Sequence, residues 1–254
     1  MISKSLFKEI KSSKNIFPLN KFENKQILEE LHYDDLISFC KQQKLDINNI
    51  YIIDYFLSPI CYIDFDNFIY IELMGQTLAQ LLEVVPMLQL NERIEITKKK
   101  NKDYSWRKKF CIIDSRVIKH FFDYHKDNIP DNELYNVFVD VYGRMEYGFE
   151  FDEEFIKRVD NNKPDEFYKH IDKNKNYTIY RGEISESKSI DEALSWSCSK
   201  KYAIFFATRF NEVGTLYKAE VKGKDIICII CYIKREEEVL VFPNDIMNMV
   251  EVSY

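Results

Sequence analysis

Tyr177-Thr178-Ile179-Tyr180-Arg181-Gly182 is the stretch on which the fold turns. Its aromatic and β-branched residues favour an extended chain, and Gly182 marks where that extension can end. It is the first of four strand-like runs. The others are TLYKAEV (Thr215–Val221), DIICIICYI (Asp225–Ile233) and EVLVF (Glu238–Phe242). Between the first and second, SKKYAIFFATRF (Ser199–Phe210) reads as a helix. The C-terminal third is therefore expected to be mostly β, with one or two inserted helices.

Working upstream, Leu134, Val137, Phe138, Val141, Tyr142 and Met145 recur at three- and four-residue steps after Pro130. That spacing predicts an amphipathic helix ended by Gly148. Asp152 is placed to cap a second short helix, EEFIKRV. Before residue 129 the pattern is mixed. Short helical stripes at Ile27, Leu28, Leu31 and at Leu36, Ile37, Cys40 break near His32–Asp34, Asn48–Leu73 reads as strands, and Leu78–Val85 as a helix stopped by Pro86. The expected division is an N-terminal mixed α/β region over 1–128, of target- or partner-binding role, and a catalytic domain over 129–254.

Composition narrows the classes. The 254 residues carry 36 Lys+Arg against 42 Asp+Glu, a net charge of −6, with 46% hydrophobic residues. Those values suit a globular chain and disfavour one that coats nucleic acid or an anionic membrane. With six Gly and six Pro there is no Gly-rich phosphate loop of either common pattern. The longest apolar run, Ile226–Ile233, is far short of a membrane span, and the N-terminus lacks a secretory h-region, so a cytoplasmic protein is expected. Six scattered cysteines do not form a disulfide scaffold. Cys228-x-x-Cys231 lies in a strand without a second ligand pair, and His32, His120, His125 and His170 have no triad or ligand spacing, so no metal is expected.

One segment departs from the acidic average. Lys98–Lys109 (KKKNKDYSWRKK) holds Lys98, Lys99, Lys100, Lys102, Arg107, Lys108 and Lys109 against one acidic residue, with Tyr104 and Trp106 among them. Cations neutralise phosphates and aromatic faces stack on unpaired bases, which makes this a candidate nucleic-acid patch. The same segment also reads as a solvated loop or hairpin tip.

Three signals in the C-terminal half carry chemistry: Arg181 before Gly182 at a strand end, Ser195-Trp196-Ser197 ahead of the helix with Phe205-Phe206-Ala207, and Glu236-Glu237-Glu238 opening Val239-Leu240-Val241. In that order they resemble the Arg–Ser–Glu class of mono-ADP-ribosyltransferases, such as bacterial and phage toxins, over roughly Glu133–Pro243. The resemblance implies an α+β fold, a split β-sandwich of two perpendicular antiparallel sheets around an NAD+ cleft with flanking helices. NAD+ would be the co-substrate. Glu238 would be the catalytic carboxylate on the nicotinamide ribose, and Ser195 would anchor the strand and bond Glu238 or the ribose. Ser197 would support it, Arg181 would grip the diphosphate, Gly182 would hold the carboxamide, and Phe205 or Phe206 would stack on nicotinamide.

The chemistry suits these residue types. Departure of nicotinamide leaves an oxocarbenium-like ribose, which a nearby carboxylate stabilises. Glu236 lies two residues from Glu238, on the same side of an extended chain, where it can activate the acceptor, and Tyr232 can sit against that acceptor. The expected activity is transfer of ADP-ribose to a macromolecular acceptor, protein arginine or RNA. The setting would be an intracellular toxin, held by an antitoxin or chaperone partner and acting in phage defence. NAD+ hydrolysis and a non-catalytic interaction role are the alternatives.

Overall fold

The computed structural model describes residues 16–21, 33–53, 60–73, 87–145, 151–185, 187–209, 213–230 and 237–254. Contacts divide the chain into two compact units, Met1–Asp127 and Asn128–Tyr254.

In the N-terminal unit β1 (Ile16–Pro18), α1 (Tyr33–Gln42), β2 (Ile50–Ile53), β3 (Ile60–Asp64), β4 (Ile69–Glu72), α2 (Met87–Lys102), α3 (Trp106–Cys111) and α4 (Ile118–His125) follow in order. The strands form a four-stranded sheet in the order β1-β2-β3-β4, each pair antiparallel. Ile50, Ile52, Tyr62 and Ile69 of the sheet pack with Phe39 and Cys40 of α1 and Leu90 and Ile94 of α2. The β3–β4 turn places Phe68 at φ +52°, a left-handed conformation that a bulky side chain rarely adopts. Two contacts hold it there. The Phe68 ring stacks on His125 at 4.3 Å, and the buried Asn101 amide donates to the carbonyls of Asn67 (2.7 Å) and Phe68 (3.0 Å).

The second expected stripe, Leu36, Ile37 and Cys40, lies in α1, which starts at Tyr33, and the first, Ile27, Leu28 and Leu31, lies outside the described residues. One expectation is corrected here. The Lys98–Lys109 segment is neither loop nor hairpin tip. It comprises the end of the sixteen-residue α2 and the whole of α3 up to Lys109, joined by a short turn that Ser105 caps through the Lys108 amide at 3.3 Å. The expected helix at Leu78–Val85 lies outside the described residues.

The C-terminal unit contains α5 (Asp131–Arg144), α6 (Glu153–Asn161), β5 (Asn176–Glu183), β6 (Ser195–Ser197), α7 (Lys200–Thr208), β7 (Thr215–Lys222), β8 (Ile226–Ile230), β9 (Glu238–Val241) and β10 (Met247–Glu251). The expected stripe of α5 is buried at Leu134, Val137, Phe138, Val141 and Tyr142. Asp152 caps α6 by accepting from the Phe155 amide at 2.7 Å. Six antiparallel strands run in the order β10-β7-β5-β6-β9-β8. β10 has no counterpart among the strands expected from sequence, because MNMVE is half polar and mostly exposed at the sheet edge. The β5–β7 ladder is long, pairing Asn176 through Glu183 with Lys222 through Thr215. The β5–β6 link is a single pair, Tyr180 with Ser197. Ile179, Ala219 and Val221 on one side of that link and Trp196, Ile226, Val239 and Val241 on the other belong to one hydrophobic cluster. α5 packs on β8, which explains why β8 and β9 read as unbroken apolar runs: both faces are covered.

The chain is thus a mixed α/β protein with two antiparallel sheets and flanking helices. Among the described residues no helix is long and apolar enough to cross a membrane.

Candidate active site

Ser195 is the junction of the site. Its register places it opposite Leu240 and Ser197 opposite Glu238, so the two serines and Glu238 project from one face of the β6–β9 pair. Trp196 and Val239 project from the other face into the core. The Ser195 hydroxyl donates to Glu238 Oε1 at 2.5 Å, and the Ser195 carbonyl accepts from Arg181 Nη1 at 2.7 Å. Arg181, Ser195 and Glu238 are therefore brought together from three strands, through the backbone and side chain of one serine.

Arg181 is built as a brace. Nε donates to Glu183 Oε1 at 2.9 Å and Nη2 to the Lys188 carbonyl at 2.9 Å, beside the bond to Ser195. Its side chain is 12% exposed. Three of the five guanidinium N–H groups are thereby engaged, so an anion would meet the remaining two, with the Arg181 charge already offset by Glu183. Glu183 is absent from the residues picked out by sequence although the signal for it is there: two residues on from Arg181, it lies on the same side of the strand.

Glu238 is 7% exposed and receives a second hydroxyl, Tyr142 from α5, at 3.2 Å on Oε1. Burial, followed by the Glu238 charge, holds the Tyr142 phenol well above its usual pKa, so it remains a proton donor to the carboxylate. Cys228 of β8 also faces this group. Burial and then Glu238 keep its thiol well above the ordinary range and unreactive. In the sequence Tyr142 is one member of an apolar stripe, and nothing in the periodicity separates a core tyrosine from one bonded to a carboxylate.

Ser197 is 6% exposed and accepts from the Ser199 amide at 3.0 Å, which shapes the passage from β6 into α7. Gly182 has a packing reason for its identity. A Cβ there would lie 1.9 Å from the Ala203 carbonyl oxygen and 2.6 Å from the Ala207 nitrogen, so only glycine lets α7 pack on β5. The close approach expected of Gly182 is made by this helix. Phe205 is 61% exposed, whereas Phe206 is half-buried with the Arg209 guanidinium 5.3 Å from its ring. Of the two, Phe205 presents the more open face to a ligand.

Glu236 and Tyr232, assigned to the acceptor, lie outside the described residues. The described neighbour Glu237 has φ +49° and is exposed, and its carbonyl accepts from the Cys198 amide at 2.9 Å, which ties it to the end of β6.

A cavity of about 400 Å³ opens near the start of β6, lined by Phe151, Leu194, Phe242 and Pro243 with Glu153, Asp191, Glu192 and Asp245. Its charge is acidic apart from Lys157, and burial and the neighbouring Asp225 raise the Asp245 pKa. Such a lining repels a dinucleotide diphosphate.

The basic segment of the N-terminal unit divides into exposed and structural members. Lys99, Lys100, Lys102, Arg107 and Lys108 are exposed. Lys98 is half-buried between Asp64 (3.8 Å) and Glu95 (3.4 Å). Trp106 packs edge-on against Phe68 and His125, and the Lys109 ammonium lies 5.0 Å from its ring. Tyr104 is half-buried with the Lys108 ammonium 4.0 Å above its ring. Trp106 is thus a wall of an aromatic cluster. The chain's acidity is unevenly divided: residues 1–127 hold 19 basic and 18 acidic residues, residues 128–254 hold 17 and 24.

Among the described residues no group of three or more His, Cys, Asp or Glu side chains is arranged to hold a metal ion. Compared with known proteins, the chain matches no family model, no curated protein and no solved structure.

Proposed function

We propose that the C-terminal unit is a mono-ADP-ribosyltransferase that moves ADP-ribose from NAD+ to a macromolecular acceptor and releases nicotinamide. The observation that carries this reading is the bond from the Ser195 hydroxyl to Glu238, with Arg181 bound to the carbonyl of the same serine. Three residue types picked out by the Arg–Ser–Glu pattern, 57 positions apart from first to last, thereby meet in one part-buried network.

The co-substrate supplies a glycosidic bond whose leaving group departs neutral, so no general acid is required. Glu238 places a negative charge where the ribose becomes cationic, in a poorly solvated setting where that charge acts strongly. Ser195 holds this carboxylate in place. Arg181 holds Ser195 through its backbone and keeps two N–H groups for a phosphate. Phe205 offers an open aromatic face. Glu236 is assigned to deprotonating the acceptor as its nucleophile replaces nicotinamide at the anomeric carbon.

The split sandwich belongs to the same proposal. Two features of the C-terminal unit favour it: the single-pair link between β5 and β6, and a hydrophobic cluster that joins strands on both sides of that link. Glutamate at both ends of the Glu236–Glu238 motif resembles the arginine-modifying subgroup of the Arg–Ser–Glu class, and a protein acceptor with arginine first is what this resemblance implies. A second reading, transfer to RNA, is favoured by the five exposed cations around Tyr104 in a unit without net acidity. The biological setting we propose is a toxin restrained by a partner protein.

The test is incubation with labelled NAD+ and cell lysate, followed by separate protease and ribonuclease treatment. Label removed by protease supports the protein acceptor and label removed by ribonuclease the RNA acceptor. Nicotinamide release without labelled polymer replaces the transferase with a glycohydrolase, and the absence of both rejects the proposal.

A further inference from the structure

Tyr142 reaches Glu238 from a different element than Ser195 does. Ser195 lies on β6, beside β9 in the sheet, while Tyr142 comes from α5, which covers this face. Both hydroxyls donate to the same oxygen, Oε1. The terminal torsion of a glutamate is broad, so one donor leaves the carboxylate plane free to swing. Two donors arriving from a strand and a helix define that plane. Packing does not require a phenol here. A phenylalanine fills the same stripe position, whereas a buried O–H needs a partner and finds it in Glu238.

We propose that Tyr142 is a positioning residue for Glu238: with Ser195 it forms a two-point clamp on Oε1 that sets the direction in which the carboxylate faces the ribose. The inference rests on the ADP-ribosyl-transfer reading. It adds to that reading a residue of α5, outside the three-part signature, and makes the α5–sheet contact part of the catalytic geometry. Truncating the clamp on the helix side should lower turnover and spare co-substrate affinity, because Tyr142 is assigned no contact with NAD+.

The test is Tyr142→Phe, compared with Ser195→Ala and the double variant, with nicotinamide release as the readout. The expected result for Tyr142→Phe is a fall in kcat of about tenfold or more, a KM for NAD+ within about twofold of wild type, and little change in melting temperature. Because both hydroxyls act on one oxygen, the double variant should lose less than the product of the two single losses. A Tyr142→Phe protein with wild-type kcat, or one changed only in KM, overturns the proposal. A crystal structure of Tyr142→Phe supplies an arm that needs no activity. Glu238 rotated or in two conformers supports the clamp, and a carboxylate in its original position overturns it. A wild-type protein that releases no nicotinamide rejects the transferase reading, and the crystal arm then decides the clamp by itself.

Discussion

Arg181→Met separates a bracing arginine from one held ready for a ligand. The guanidinium donates to Glu183, to the Ser195 carbonyl and to the Lys188 carbonyl, and the side chains of Arg181 and Glu183 are only 12% and 16% exposed. Methionine keeps much of the volume and removes all three donors. It leaves the Glu183 carboxylate charged and poorly solvated, a change that costs about 3–5 kcal/mol for a fully buried pair. The residual exposure screens part of this, so we expect a loss of about 3 kcal/mol. For a unit of this size, with an unfolding entropy of about 2.1 cal/mol/K per residue, that lowers the melting midpoint by about 10 °C. Scanning calorimetry measures the midpoint directly, and urea unfolding gives an independent free energy. Adding Glu183→Gln should restore part of the loss, since the stranded charge is its largest component. Arg181→Lys, which keeps the charge and loses the fork, should fall between the two. A loss below about 1 kcal/mol for Arg181→Met would refute the brace and return Arg181 to the role of an open diphosphate grip.

Glu238→Gln should reduce nicotinamide release by at least about a hundredfold while the circular dichroism spectrum is unchanged, because it removes the charge and keeps the shape; retention of more than a tenth of the activity would show that the carboxylate has been misassigned. Gly182→Ala should destabilise the C-terminal unit by about 2–3 kcal/mol, as the new methyl would sit 1.9 Å from a backbone oxygen of α7, and denaturant melts will show this. Reversing the charges of Lys99, Lys100 and Lys102 together should weaken single-stranded RNA binding at least about tenfold in fluorescence anisotropy and flatten its salt dependence. Native thiol labelling followed by mass spectrometry should modify the exposed Cys111 and Cys198 quickly at pH 8 and leave Cys40, Cys61 and Cys228 untouched until unfolding, since burial pushes the Cys40 thiol up to about 11 and Cys228 higher than its ordinary range.

Much of the site is legible in the order of the amino acids alone. Arg181 and Glu238 belong to runs whose β character is plain from Ile, Val, Tyr and Thr content, and Ser195 heads the strand-to-helix passage read from Ser195-Trp196-Ser197. The strand end expected at Gly182 is not there: β5 runs on to Glu183, with Gly182 paired to Leu216 of β7. α5, α6 and α7 follow from three- and four-residue periodicity and from the Asp152 cap. The Lys98–Lys109 segment goes the other way. Its density of charge suggests a loop, yet lysine is a good helix former, and Ile94, Asn101 and Phe110 carry the buried side of α2 and α3. Too few apolar residues mark that face for periodicity to show it, and two of its anchors, Asn101 and Trp106, are not aliphatic.

By itself the sequence determined the strand and helix character of most of the C-terminal unit, the edge strand β10 excepted, because short-range spacing of apolar residues is a local property. It also determined which residue types were available for chemistry. Only the tertiary structure decided what each of them does. That Arg181 is occupied by Glu183, Ser195 and Lys188, that Gly182 is a glycine for the sake of α7, and that Tyr142 bonds Glu238 across 96 positions are consequences of which strands and helices lie side by side. Such contacts depend on burial and long-range register, and no short-range pattern encodes either.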